Sequence, residues 1–315
     1  THPPPTPCFP LAGHLEASFQ LWVEPAVPVV AHGGSVRLRL NTTCQDLAGK
    51  VSWETTLETG PQGEKVLELL NVTSWGTEVQ VNYDCGKETE TAWVRVITYS
   101  APKRPQLKPL AALAVGEEQE VVCRVAGAAP IRNLSVVLSC GTQVLRSQTF
   151  NSTNQKPEEV QVKHLLKAER WHNGHNLSCQ ALLDLAPHGP TLNATSEPQL
   201  VTVYDFPEDP KLDPDLQLEV DEVAKVTCSA PSAFPVPTFQ MTLGNRSLSV
   251  SVSPDGHNAT AEVSHKEQGH YQLLCEVAAG PRQRQAKGTV HVYSEWWWHK
   301  GGGATWCPQR GGSHH

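Results

Sequence analysis

The chain has 315 residues, of which 39% are hydrophobic and 18% charged, enough apolar content for packed cores and too much for wholesale disorder. Its 25 Lys+Arg stand against 32 Asp+Glu for a formal net charge of −7, with no long basic run, so nucleic acid is not an expected partner. Its longest apolar stretch, near Pro109 to Val115, is far too short to span a bilayer.

Residues 1–17 are Pro-rich and do not begin with Met. Leu15-Glu16-Ala17 reads as the tail of a secretion leader, so this segment is expected to be a leader remnant or disordered. From Ser18 onward the chain repeats itself. Three β-branched, alternating runs close on a tyrosine: Val96-Ile97-Thr98-Tyr99, Val201-Thr202-Val203-Tyr204 and Val290-His291-Val292-Tyr293. A period of about 100 residues indicates tandem domains. The predicted domains are 18–101, 102–205 and 206–294.

Each repeat holds a separated cysteine pair: Cys44 and Cys85, Cys123 and Cys179, Cys228 and Cys275, which lie 41, 56 and 47 residues apart. Between the cysteines run short alternating segments such as Val121-Val122-Cys123-Arg124-Val125 and Leu134-Ser135-Val136-Val137-Leu138. Gly, Pro, Asn and Asp punctuate them, and almost no helix is expected. An early-strand and a late-strand cysteine pairing across two sheets is the immunoglobulin arrangement; the other reading is a different disulfide-stapled β sandwich. The predicted fold is therefore all-β: three tandem immunoglobulin-like sandwiches in a rod. Pro102 and Pro105, then Pro207 and Pro210, shorten and stiffen the two junctions. Residues 295–315, with four tryptophans and a Gly triplet, break the pattern and are set aside as an aberrant or disordered tail.

The nine cysteines and eight N-x-S/T sequons agree on a compartment. The sequons stand at Asn41, Asn71, Asn133, Asn151, Asn176, Asn193, Asn245 and Asn258. Together they point to the secretory route, where structural disulfides and N-glycans are the rule. Cys8, Cys140 and Cys307 lie outside the three pairs, and an odd total leaves at least one thiol without an intrachain partner. Cys140 is read as a partly buried free thiol or as a bridge to a second copy in a homodimer.

Catalysis is not expected. Trp171-His172-Asn173-Gly174-His175 places two histidines on a predicted turn with no Cys or carboxylate beside them, which favours a surface pair over a zinc site. Gly301-Gly302-Gly303-Ala304-Thr305 lacks the Gly-Lys-Ser/Thr ending of a phosphate loop. No nucleophile elbow or zinc-protease helix is present.

Several segments together resemble the intercellular adhesion molecules, the immunoglobulin-superfamily ligands of leukocyte integrins. In the first repeat the resemblance rests on Val23-Glu24-Pro25, Gly33-Gly34-Ser35-Val36, Asn41-Thr42-Thr43-Cys44 and Trp53-Glu54-Thr55-Thr56-Leu57. In the second it rests on Cys123 to Pro130, Asn133 to Leu138 and Leu183 to Gly189, and in the third on Leu218-Glu219-Val220, Cys228 and Phe234-Pro235-Val236. The resemblance implies that Glu54 ends the third strand of the sandwich and completes a Mg²⁺ site held by a β2 integrin. The ion is the partner's, so the chain needs no metal or cofactor of its own. Mg²⁺ prefers carboxylate and water oxygens, and a single carboxylate offered across an interface suits it. If Trp53 points inward, strand alternation points Glu54 outward. Thr59, Gln80, Asn82, Asp84 and Thr89 align with further integrin-contacting positions. Relatives carry a second disulfide in this repeat. Here Leu40 and Val81 stand in its place, each four residues before a retained cysteine and so one rung away on the same face.

The implied protein is an extracellular adhesion glycoprotein, at the cell surface in a full-length form and secreted as the chain is given. The competing readings are a family member that adheres homophilically without integrins, and a soluble decoy.

Overall fold

A computed structural model describes residues 19–294 apart from Leu47, Gln62 and Glu64. The expected leader remnant and tail, with Cys8 and Cys307, lie outside the described residues. Those residues form β-strands and two single-turn 3₁₀ segments, Ile131–Asn133 and Arg170–His172. None of their helices is long and apolar enough to cross a membrane. The sheets are of the immunoglobulin-like, all-β kind. By contacts the chain divides into two compact units. One is built from the residues up to Lys108 with Val122–His164 and Ser178–Pro198; the other from Pro109–Val121, Leu165–Leu177 and the residues from Gln199 on. The first and third repeats each fall in one unit, and the residues of the second fall in both.

In the first unit, the first repeat supplies seven strands: β1 (Leu21–Glu24), β2 (Val29–Ala31), β3 (Gly34–Thr42), β4 (Lys50–Glu54), β5 (Val66–Val72), β6 (Thr77–Cys85) and β7 (Glu88–Tyr99). They form a sheet ordered β1-β3-β5 and a second ordered β2-β7-β6-β4. The period-two pattern explains both. In β3, Arg37 and Arg39 are exposed while Leu38 and Leu40 are buried; in β6, Val79, Val81 and Tyr83 are buried. These side chains and Leu67, Leu69, Val94 and Val96 form one core. The turn from β2 into β3 places Gly33 at φ +80°, where a side chain would strain the backbone.

Cys44 and Cys85 are bonded, with Cα atoms 6.1 Å apart. Leu40 and Val81 are 1% and 0% exposed, in the same core but on the two opposed sheets. The rung where the family resemblance implies a second bridge is therefore filled by aliphatic packing.

Also in this unit, Leu134–Cys140 pairs with Gln143–Thr149, and Gln180–Asp184 pairs with Thr191–Thr195, all antiparallel. Cys123 and Cys179 are bonded, Cα atoms 6.4 Å apart. Cys140 is a free thiol with no exposed surface, and burial raises its pKa. A bridge from Cys140 to a second copy would require this core to open.

In the second unit, Val203–Tyr204 pairs parallel with Leu113–Ala114. The predicted turn at Arg170–His172 is present, but His172 is not a surface residue. It is 3% exposed, and its Nδ1 accepts the Glu169 amide at 2.9 Å in a capping box. Only His175 of the two is exposed. A ring that can satisfy an orphan N–H of the turn is worth burying, which spacing alone does not reveal. The third repeat has a four-stranded and a five-stranded sheet around its own core. Cys228 and Cys275 are bonded, Cα atoms 6.5 Å apart.

A local motif recurs after the first and second tyrosine runs. Ser100 and Ala129 exchange two backbone hydrogen bonds at 3.0 and 3.1 Å; Asp205 and Phe234 do the same at 2.8 and 2.7 Å. In each case the residue after the tyrosine grips one that immediately precedes a proline.

Candidate functional site

β4 is short because the chain turns off the sheet at once: Thr55 Oγ1 accepts the Leu57 amide at 3.1 Å, a local side-chain turn that competes with further pairing. Glu54 is thereby the last strand residue. Along β4 the exposed positions are Lys50, Ser52 and Glu54, while Val51 and Trp53 turn toward the core. The Trp53 indole Nε1 is buried without a hydrogen-bond partner.

The register of β4, β6 and β7 sets what surrounds the carboxylate. Glu54 faces Gln80, Ser52 faces Asn82 and Lys50 faces Asp84; across β6, Gln80 faces Trp93, Asn82 faces Thr91 and Asp84 faces Thr89. These residues form three rungs on one face of the sheet. Asn82 connects them. Its Nδ2 donates to Glu54 Oε1 at 3.0 Å, while its Oδ1 accepts from Gln80 Nε2 at 3.0 Å and Thr91 Oγ1 at 2.8 Å. Two donors on the oxygen fix which way the amide faces, and so aim its N–H at the carboxylate. One Glu54 oxygen is thus held while the charge stays at the surface.

Of the predicted contact residues, Glu54, Gln80 and Asn82 are joined by this network. Asp84 and Thr89 sit two rungs along, where Thr89 Oγ1 donates to Asp84 Oδ1 at 2.6 Å. Lys50 lies opposite Asp84, so the added negative charge has a basic neighbour. Thr59 is placed elsewhere: it bridges Leu69 on β5, at the edge of the other sheet. Sequence reasoning missed Thr91 and Trp93. Trp93 is 63% exposed beside the Glu54–Gln80 rung, and counting in steps of two from Thr89 along β7 would have found both.

The sequons of this repeat lie on the opposed sheet. Asn71 is exposed on β5. Asn41 is half-buried on β3, with its Nδ2 buried. No sequon falls on β4, β6 or β7. Elsewhere Asn151, Asn176, Asn193 and Asn245 are exposed, while Asn133 and Asn258 are half-buried. No cluster of three or more metal-ligating side chains occurs among the described residues.

The model of the intercellular adhesion molecule N-terminal domain matches residues 16–104, which contain this whole face. The chain belongs to the intercellular adhesion molecule family. A second model, the D2 domain of ICAM-1/3/5, matches residues 210–293, which is the third repeat rather than the second. The chain is 31% identical over 299 residues to intercellular adhesion molecule 5 of Homo sapiens, covering 91% of this chain and 32% of that protein. It is 32% identical over 303 residues to intercellular adhesion molecule 1 of Homo sapiens, covering 91% and 54%. The ICAM-5 D1–D4 ectodomain crystal structure superposes with a TM-score of 0.66 at 28% identity, covering 88% of this chain and 77% of that one. The chain thus spans between about a third and a half of these two curated relatives.

Proposed function

We propose that this chain is a three-domain adhesion segment, 18–101, 102–205 and 206–294, that binds a leukocyte β2 integrin through Glu54, outside the cell. The Glu54 carboxylate supplies one oxygen to a Mg²⁺ ion carried by the integrin. The observation that carries this reading is a surface carboxylate held in place by Asn82 on a sheet face without sequons. The hard ion takes the oxygen that Asn82 leaves free, and the strictness of its geometry rewards a carboxylate whose rotamer is already fixed. Gln80, Asn82, Asp84 and Thr89 border the contact on the same face.

The test is binding of the purified chain to immobilised, activated β2 integrin. Binding in Mg²⁺ that is lost on chelation and restored by adding Mg²⁺ back supports the proposal. Equal binding in chelator overturns it and leaves homophilic adhesion as the reading to pursue.

A further inference from the structure

The third repeat carries a pair of histidines that the adhesion reading does not use. His270 lies near the start of the strand Gly269–Ala279, and His291 near the end of Arg282–Tyr293. The two are direct cross-strand partners. Their side chains meet with Nδ1 against Nδ1 in hydrogen-bond contact, ring centroids 4.6 Å apart and planes at 84°. His270 is exposed and His291 half-buried, on the outer face of a five-stranded sheet.

Two neutral imidazoles can meet in this way only if one Nδ1 carries a proton and the other offers its lone pair. The shared proton occupies a point at which both Nδ1 lone pairs converge once it is removed. A tetrahedral zinc ion with ordinary Zn–N bonds would hold two such nitrogens about 3.3 Å apart. A small side-chain adjustment takes the pair from sharing a proton to sharing an ion. The surroundings favour a cation. The adjacent strand Leu216–Glu219 pairs Gln217 with His291 and Glu219 with Tyr293, and Asp215 precedes it, accepting the Thr289 amide at 2.8 Å. Glu219 and Asp215 thus lie on the neighbouring strand and just before it, without forming a cluster of three metal-ligating side chains with the pair. Gln272 and Thr289 form the next rung, and Leu274 and Lys287 the one after it.

We propose that His270 and His291 form a two-imidazole chelate for a borderline divalent transition metal, Zn²⁺ or Ni²⁺, with its remaining positions taken by water. Imidazole selects these ions over Mg²⁺ and Ca²⁺. The site is independent of the Glu54 proposal and of the integrin's ion. Both nitrogens must be free of protons to bind the ion.

The experiment is equilibrium dialysis of the full chain against ZnCl₂. It compares wild type with His270→Gln, His291→Gln, the double variant and the control His188→Gln. All five are also made with His299, His314 and His315 changed to Gln, so that tail imidazoles are not counted. The expected result is one zinc equivalent lost in His270→Gln, the same one lost in His291→Gln, and no more in the double variant. His188→Gln should bind as wild type, and millimolar Mg²⁺ should not compete. Either single variant binding zinc like wild type overturns the proposal. So does loss in the double variant equal to the sum of two separate sites.

Discussion

The two sheets of the first repeat share one core and differ in what they show to solvent. The β1-β3-β5 sheet carries both sequons of the repeat and an exposed Trp22 whose indole N–H donates to Glu24, two residues on in its own strand. The β2-β7-β6-β4 sheet carries no sequon and a hydrogen-bonded chain from Thr91 through Asn82 to Glu54. Burial patterns would not distinguish them, since both alternate apolar-in and polar-out. The difference lies in polar groups that orient one another and in a surface free of sequons. Under the proposed function, this sets the contact face apart from the solvated side of a sheet.

That contrast can be broken most completely by moving a glycan. Asp84→Thr turns Asn82-Tyr83-Asp84 into a sequon at Asn82, the residue that holds Glu54. Glycosylated protein is expected to lose integrin binding altogether. Asp84→Val, which removes the same carboxylate without creating a sequon, and Asn71→Gln, which clears the opposed sheet, should both bind within a few-fold of wild type. Surface plasmon resonance on mass-verified glycoforms checks this.

A smaller loss is expected from Asn82→Ala, which leaves Glu54 charged but no longer aimed. One hydrogen bond to a charged group is worth about 1.5–3 kcal/mol, so affinity should fall roughly ten- to a hundredfold with the fold intact. An unchanged affinity would show that Glu54 needs no support from β6.

The smallest effect on binding should come from changing what joins the two sheets. Leu40→Cys with Val81→Cys restores a second rung. It should form a disulfide under oxidising conditions and raise the melting temperature of this repeat by roughly 5–10 °C, leaving integrin affinity unchanged. A double variant that stays reduced would show that the two positions do not face each other closely enough.

Much of this was legible in the sequence. The three cysteine pairs, the strand alternation and the core positions Leu40 and Val81 follow from period-two patterning and repeat spacing, which local sequence encodes directly. Glu54's outward direction follows from Trp53 turning inward. The position of Thr59 was not legible, because a chain leaving β4 can cross to the other sheet within five residues, and no local pattern records that. Asn82's role was not legible either. It depends on three strands being in register, a property of pairing rather than of any one segment. His172 was misread as a surface residue because its burial rests on a cap that only the folded turn creates. The His270–His291 contact joins residues 21 apart and shows no pattern until the strands pair.

The central claim is that Glu54 itself is the ligand for the integrin's metal, and the most direct measurement sets Glu54→Gln against Glu58→Gln in Mg²⁺. Both remove one exposed carboxylate four residues apart, but the Glu58 carbonyl accepts the Leu70 amide of β5 and lies with the other sheet. Neither should disturb folding. The account predicts that Glu54→Gln reduces binding to the level of chelated wild type while Glu58→Gln binds nearly as wild type. Glu54→Asp should fall between them, keeping the charge on an arm one methylene shorter. Near wild-type, Mg²⁺-dependent binding by Glu54→Gln would contradict the account.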